Sequence, residues 1–170
     1  MTDAKQLEQI LEDRYLGRKY SDFDAQMDCS MAVRDIVQPI LGENSGYLVI
    51  NRQDHSYNQI VLRDTKSGIE SLLVTIVVKK KKGETHYHFG GSSTDYTYAD
   101  FTVTMNDPDL ETAVQNAIDD IKRQLDSRND KIAKLKADIE TVKKTLGLAN
   151  DWDVKYWAES ITSNWYKLGL

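Results

Sequence analysis

The chain has a single cysteine, Cys29, among its 170 residues. One thiol cannot close an internal disulfide, so a secreted, disulfide-stapled framework is excluded and a reducing cytoplasm is the default compartment. No apolar run approaches the roughly 20 residues of a membrane span. The opening Met1-Thr2-Asp3-Ala4-Lys5 lacks the apolar core of a signal peptide, so no membrane is expected as a partner. Low-complexity stretches and internal repeats are missing too. So are the common catalytic signatures: there is no Gly-x-Ser-x-Gly elbow, no Gly-Lys-Ser/Thr, and three histidines leave few triads to build. Cys29 lies in a helical stretch among Met27, Met31 and acids, which disfavours a thiolate. A net charge of −5 favours solubility and weighs against general nucleic-acid binding.

What is present is organised around one long helix, from Asp107 to Gly147. Asp107 is a good N-cap, Pro108 suits the first helical position, and Gly147 suits the position just past the end. Between them Ile118, Ile121, Leu125, Arg128, Ile132, Leu135, Ile139, Val142 and Leu146 recur at alternating spacings of three and four, and only Arg128 breaks the apolar character. A seam that narrow over about four heptads is a coiled-coil signature and predicts a homo-oligomer. The flanking charges leave strand direction open: Asp138 and Lys143 attract in a parallel pair, Lys131 and Lys136 repel. A fold-back near Ser127–Asp130 would bury the seam within one chain, although no Gly or Pro marks a turn there.

Ahead of this helix the pattern predicts an α+β domain over residues 1–106. Thr2 to Leu16 reads as a helix capped by Thr2, and a second helix after Ser21 carries Phe23, Met27, Met31, Val33, Ile36, Val37 and Ile40 until Pro39 ends or kinks it. Its Met-rich face is read as core. The period then changes from 3.6 to 2. Strands are expected at Tyr47–Arg52, Asn58–Arg63 and Ile69–Lys79, then, after a tight Lys82-Gly83 hairpin, at Thr85–Phe89, and finally at about Tyr98–Met105. Links this short give a five-stranded antiparallel meander. The long helix (107–147) and an aromatic terminal helix (148–170) complete the chain. The latter holds Trp152, Tyr156, Trp157, Trp165 and Tyr166, an aromatic set that serves either as packing or as an anchor for a protein partner.

One region gathers polar chemistry. Lys79, Lys80, Lys81 and Lys82 form a cationic run that reads first as a charged, aggregation-blocking tip. His86 and His88 alternate with aromatics and share a sheet face, and the third ligand a metal requires could come only from His55, Asp95 or Asp100. The expectation is a polar strand face beside solvent, with the aromatics Tyr87 and Phe89 in the core and with neither metal nor cofactor. Gly90, Gly91, Ser92, Ser93 and Thr94 read as a flexible loop rich in N–H and hydroxyl donors, close in sequence to Tyr96 and Tyr98. Cations, hydroxyls and flat rings suit a nucleotide or a single nucleic-acid strand.

The leading expectation is a non-enzymatic, oligomeric protein that binds a macromolecular partner. An inhibitor or adaptor of the small accessory kind that viruses and mobile elements encode is compatible with it. The alternative is a module that binds or sequesters a nucleotide or phosphorylated ligand at the lysine, histidine and glycine-serine region. A phosphodiester-acting enzyme is the third reading.

Overall fold

A computed structural model of the chain describes residues 2–20, 24–42, 45–54, 57–148, 150, 154–156 and 158–159. In order these form α1 (Ala4–Tyr15), β1 (Lys19–Tyr20), α2 (Asp24–Leu41), β2 (Tyr47–Asp54), β3 (Tyr57–Asp64), β4 (Glu70–His88), β5 (Gly91–Thr104) and α3 (Leu110–Leu146). The fold is α+β. Its five strands are all antiparallel, in the spatial order β1-β5-β4-β3-β2. The chain forms two compact units, Met1–Gln124 and Leu125–Leu170.

The helix starts differ from expectation: in each an aspartate one or two residues further on is the cap. Asp3, not Thr2, caps α1: its Oδ1 accepts the Gln6 N–H at 2.8 Å, and the Gln6 side chain accepts the Asp3 N–H at 3.0 Å. Thr2 instead ties the chain start to α3, its carbonyl accepting the Leu110 N–H at 2.8 Å. Asp109, not Asp107, caps α3 through the Thr112 N–H at 2.8 Å, while Asp107 accepts from Asn116 at 2.7 Å. Pro108 therefore precedes the cap. Once begun, α3 is continuous through Ser127–Asp130, so there is no fold-back. Gly147 follows it with φ 65°, a left-handed conformation that glycine adopts without strain.

α2 runs through Pro39 to Leu41, because a proline in the last turn removes only one of few remaining bonds. Its Met face is not core. Met27 and Met31 are exposed, while Val33 and Val37 are buried as expected, together with Cys29 and Ala32. Phe23 lies outside the described residues. The first two expected strands are present as β2 and β3, which pair from Tyr47↔Asp64 to Asp54↔Tyr57. The sheet otherwise departs from a simple meander. The expected third and fourth strands are one strand, β4, and the fifth place is taken by the two-residue β1 against Tyr96 and Thr97. Three irregularities shape the ladder. Ile60 faces Val74 but Val61 faces Leu72, which skips Leu73 and buries it while leaving Leu72 exposed. Lys79 faces Asp100 but Lys80 faces Tyr98, skipping Ala99. Gly83 and Glu84 together oppose Asp95.

The core gathers Leu7 and Leu11 from α1, Val33 and Val37 from α2, Ile60, Leu62, Val74 and Ile76 from the central strands, and Leu110, Val114, Ala117 and Ile121 from α3. Tyr98 is buried among rings at one border of it, stacked on Tyr20 (centroids 4.2 Å) and on Phe101 (5.4 Å). Its hydroxyl donates to Asp28 at 2.7 Å. Among the described residues no helix is long and apolar enough to cross a membrane.

Candidate functional site

The polar region lies on a two-stranded arm. Among the described residues β3 pairs with β4 as far as Asn58↔Ile76 and β1 pairs with β5 at Tyr96 and Thr97, while β4 and β5 pair with each other out to His88↔Gly91. The expected hairpin at Lys82-Gly83 is absent. Gly83 sits in a bulge instead, where a Cβ would lie 3.1 Å from the Asp95 carbonyl oxygen. The chain turns at Phe89-Gly90, where Gly90 takes φ 101°. Turning there adds the pairs Thr85↔Thr94, His86↔Ser93, Tyr87↔Ser92 and His88↔Gly91 to the ladder. Gly91–Thr94 is accordingly strand and not a flexible loop.

Cross-strand partners share a face, so the register sorts the sequence-selected residues. One face carries Lys80, Lys82, Thr85 and Tyr87 on β4, opposite Tyr98, Tyr96, Thr94 and Ser92 on β5. The other carries Lys79, Lys81, His86 and His88, opposite Asp100, Thr97, Ser93 and Gly91, with Asp95 beside the bulge. Lys80 and Lys82 are thereby brought to the tyrosines, and Lys79 and Lys81 are not: Lys80 Nζ lies 5.6 Å from the Tyr96 ring centroid. The histidines are not brought to them. His86 and His88 do share a face, but it is the one opposite Lys80, Lys82 and Tyr96.

Charge differs between the faces. On the histidine face Lys79 pairs with Asp100, and Asp95 accepts from Lys19 at 3.2 Å and from His86 Nε2 at 3.3 Å. The lysine and then the imidazole hold the Asp95 carboxyl below its ordinary range, and Lys79 does the same for Asp100. His55 lies outside the described residues. Among those described, no three of His, Cys, Asp and Glu are grouped to hold a metal ion. The opposite face has no carboxylate at its paired positions. At its tip Tyr87 is 86 % exposed, and Phe89 on the turn is fully exposed, a feature that a buried-aromatic reading of the strand missed. Only knowledge of where the turn falls would have revealed it.

Nucleophilic chemistry finds little footing. Burial, then the neighbouring Asp28 charge, pushes the Cys29 thiol up to about 12, and burial raises the Tyr98 hydroxyl as well. Two open depressions, of 450 Å³ beside Thr2, Gln6, Gln9 and Ile10 and of 510 Å³ beside Asp35, Gln38, Pro39 and Gly42, have no histidine, cysteine or lysine among their described lining.

The seam residues of α3 divide. Ile121 is buried and Ile118 packs on the core. Leu125, Ile139 and Val142 are half-buried, Arg128 is exposed, and Ile132, Leu135 and Leu146 are 41 %, 60 % and 43 % exposed. Of the terminal aromatics only Tyr156 is described, in a helical turn and exposed; Trp152, Trp157, Trp165 and Tyr166 lie outside the described residues. Comparison with protein families, with curated proteins and with solved structures finds no match.

Proposed function

We propose that this chain is a non-enzymatic interaction protein of the cytoplasm that self-associates through the second half of α3 and contacts a macromolecular partner through the β4–β5 arm. The observation that carries the reading is the exposed seam. Ile132, Leu135 and Leu146 keep coiled-coil spacing while remaining in contact with solvent within the single chain. A second copy offers the same spacing, so one C2-related pairing covers both seams at once. Each of these half-exposed side chains gains about 1 kcal/mol when covered. Arg128 lies at a position where a polar residue sets register at some cost in stability. A nucleotide clamp that joins Lys80, Lys82 and Tyr96 to the histidines is disfavoured, because the register puts those residues on the face of the arm opposite His86 and His88.

Light scattering of the purified chain at micromolar concentration tests the reading. The expected mass is a multiple of 19.4 kDa, reduced to one chain by Leu135→Asp without loss of the helical and sheet signals in circular dichroism. A wild-type monomer would contradict it.

A further inference from the structure

We propose that His86 and His88 on the β4–β5 arm form a two-point chelate for a divalent first-row transition-metal ion, with Asp95 holding the His86 ring in the tautomer that binds it. The inference goes beyond the self-association reading and does not depend on it.

The strand supplies the spacing. Residues two apart on β4 stand on one face about 6.6 Å apart, from a rise of about 3.3 Å per residue. Two nitrogens bound to one ion at about 2.0–2.1 Å and a tetrahedral angle lie about 3.3 Å from each other. Each ring tip therefore leans inward by about 1.7 Å, less than a change of staggered rotamer moves it. Both residues are exposed, so the rings turn without disturbing packing. The positions across from them are Ser93 and Gly91. Neither carries bulk, which leaves that side of the pair open to an ion, and Tyr87 between them belongs to the other face.

Asp95 acts from outside the pair. The His86 Nε2 lies 3.3 Å from the Asp95 Oδ2. A ring that donates its Nε2–H to a carboxylate presents the lone pair of Nδ1, and metal-bound histidines are held by outer partners of this kind. The same oxygen accepts from Lys19 at 3.2 Å, so Asp95 works through His86 and is not a ligand. Among the described residues no three of His, Cys, Asp and Glu are grouped to hold an ion. The chelate is accordingly two-point, and water or a donor from outside the described residues fills the remaining positions. The donors also select the ion. Neutral imidazole suits copper, nickel and zinc, whereas magnesium and calcium take oxygen ligands.

The test is isothermal titration of the untagged chain with nickel chloride, repeated with copper and magnesium chlorides. One nickel ion per chain is expected, copper binds more tightly, and magnesium is silent. Joining two donors strengthens binding roughly 10²- to 10⁴-fold over one, so His86→Ala and His88→Ala each weaken nickel by about that factor. Asp95→Asn weakens it roughly 10- to 100-fold, as loss of an outer partner does, and Tyr87→Ala on the other face leaves it unchanged. With both histidines exposed, their variants keep the fold, which circular dichroism verifies. A trace of copper broadens the amide resonances of residues 86–88 and 91–95 before any others. Several results overturn the inference: silence from folded protein, magnesium binding equal to nickel, affinity that survives loss of either histidine, or broadening centred elsewhere in the chain. Indifference to Asp95→Asn overturns its positioning role.

Discussion

Leu110, Ala113, Val114, Ala117 and Ile121, in the first turns of α3, are buried, whereas Ile132, Leu135 and Leu146 further along the same helix are exposed. The two halves are written in the same apolar rhythm. What differs is the cover. In the first unit Leu110, Val114, Ala117 and Ile121 share one cluster with the sheet and α1, and Ser71 donates to Asp120 at 3.0 Å to hold the register. In the second unit the described seam residues keep their spacing while solvent reaches them. Periodicity states that a face must be covered; it does not state by what. The first half is covered within the chain, and we propose that another copy covers the second.

The sharpest way to break that contrast is to truncate both halves. Ile121→Ala should cost about 2–5 kcal/mol, the range for a buried isoleucine, at every protein concentration. Leu135→Ala should leave the first unit's thermal midpoint unchanged at high dilution and lower it only where chains pair. Equal, concentration-independent losses would erase the distinction. Denaturant titrations at two protein concentrations read both variants.

Tyr98→Phe comes next in size. It removes the hydroxyl that donates to Asp28 and leaves a part-buried carboxylate short of a partner, which costs about 1.5–3 kcal/mol for a bond to a charged group. Because the contact joins β5 to α2 within one chain, its effect should not change with dilution, and a concentration-dependent loss in thermal melts would count against that.

A smaller effect attaches to Glu70, bridged by Arg52 and Arg63 across β2, β3 and β4. The bond from Arg52, and then that from Arg63, keeps its carboxyl below the ordinary range against the opposing effect of burial. A depressed carboxylate stabilises the fold fully above its unfolded value, about 4.3. The contribution is lost as pH falls through the lower, folded value. Glu70→Gln should therefore cost up to about 1 kcal/mol at neutral pH, since both arginines are substantially exposed. The difference from wild type should close under acid. A gap that stays constant down to pH 2 would show that the charge is not what matters.

The smallest shift is expected from Arg128→Leu. It restores the seam, and should stabilise the paired species by less than about 1 kcal/mol, raising its thermal midpoint, while broadening the distribution of oligomers. A clear loss of stability would show instead that Arg128 makes a contact outside the seam.

Local repeats were legible and local exceptions were not. The rhythm of α3, its end at Gly147 and the places of β2 and β3 follow from spacing alone. The arm was hidden because Gly83 is consistent with two backbone roles, a tight turn or a bulge. The competition was settled by four more cross-strand pairs, which form only if the turn waits until Phe89-Gly90. The same displacement turned an apparent loop of glycines and serines into paired strand. It also put the histidines on the face away from Lys80 and Lys82. β1, only two residues long, has no pattern to read and exists because the edge of β5 is there to pair with it. Met27 and Met31 misled because helical spacing gives a stripe without saying which of two neighbouring stripes faces inward; Cys29 and Ala32, smaller, pack there instead.

The most direct test of the central claim is amide hydrogen exchange at two protein concentrations about a hundredfold apart, since exchange rates report the free energy of opening at each helix turn. The account predicts that residues 110–121 are strongly protected at both. It predicts that residues 125–146 exchange quickly in dilute protein and become protected in concentrated protein, as RT ln(1 + [L]/Kd) requires when the ligand is another chain. Rates across 125–146 that ignore concentration would contradict it.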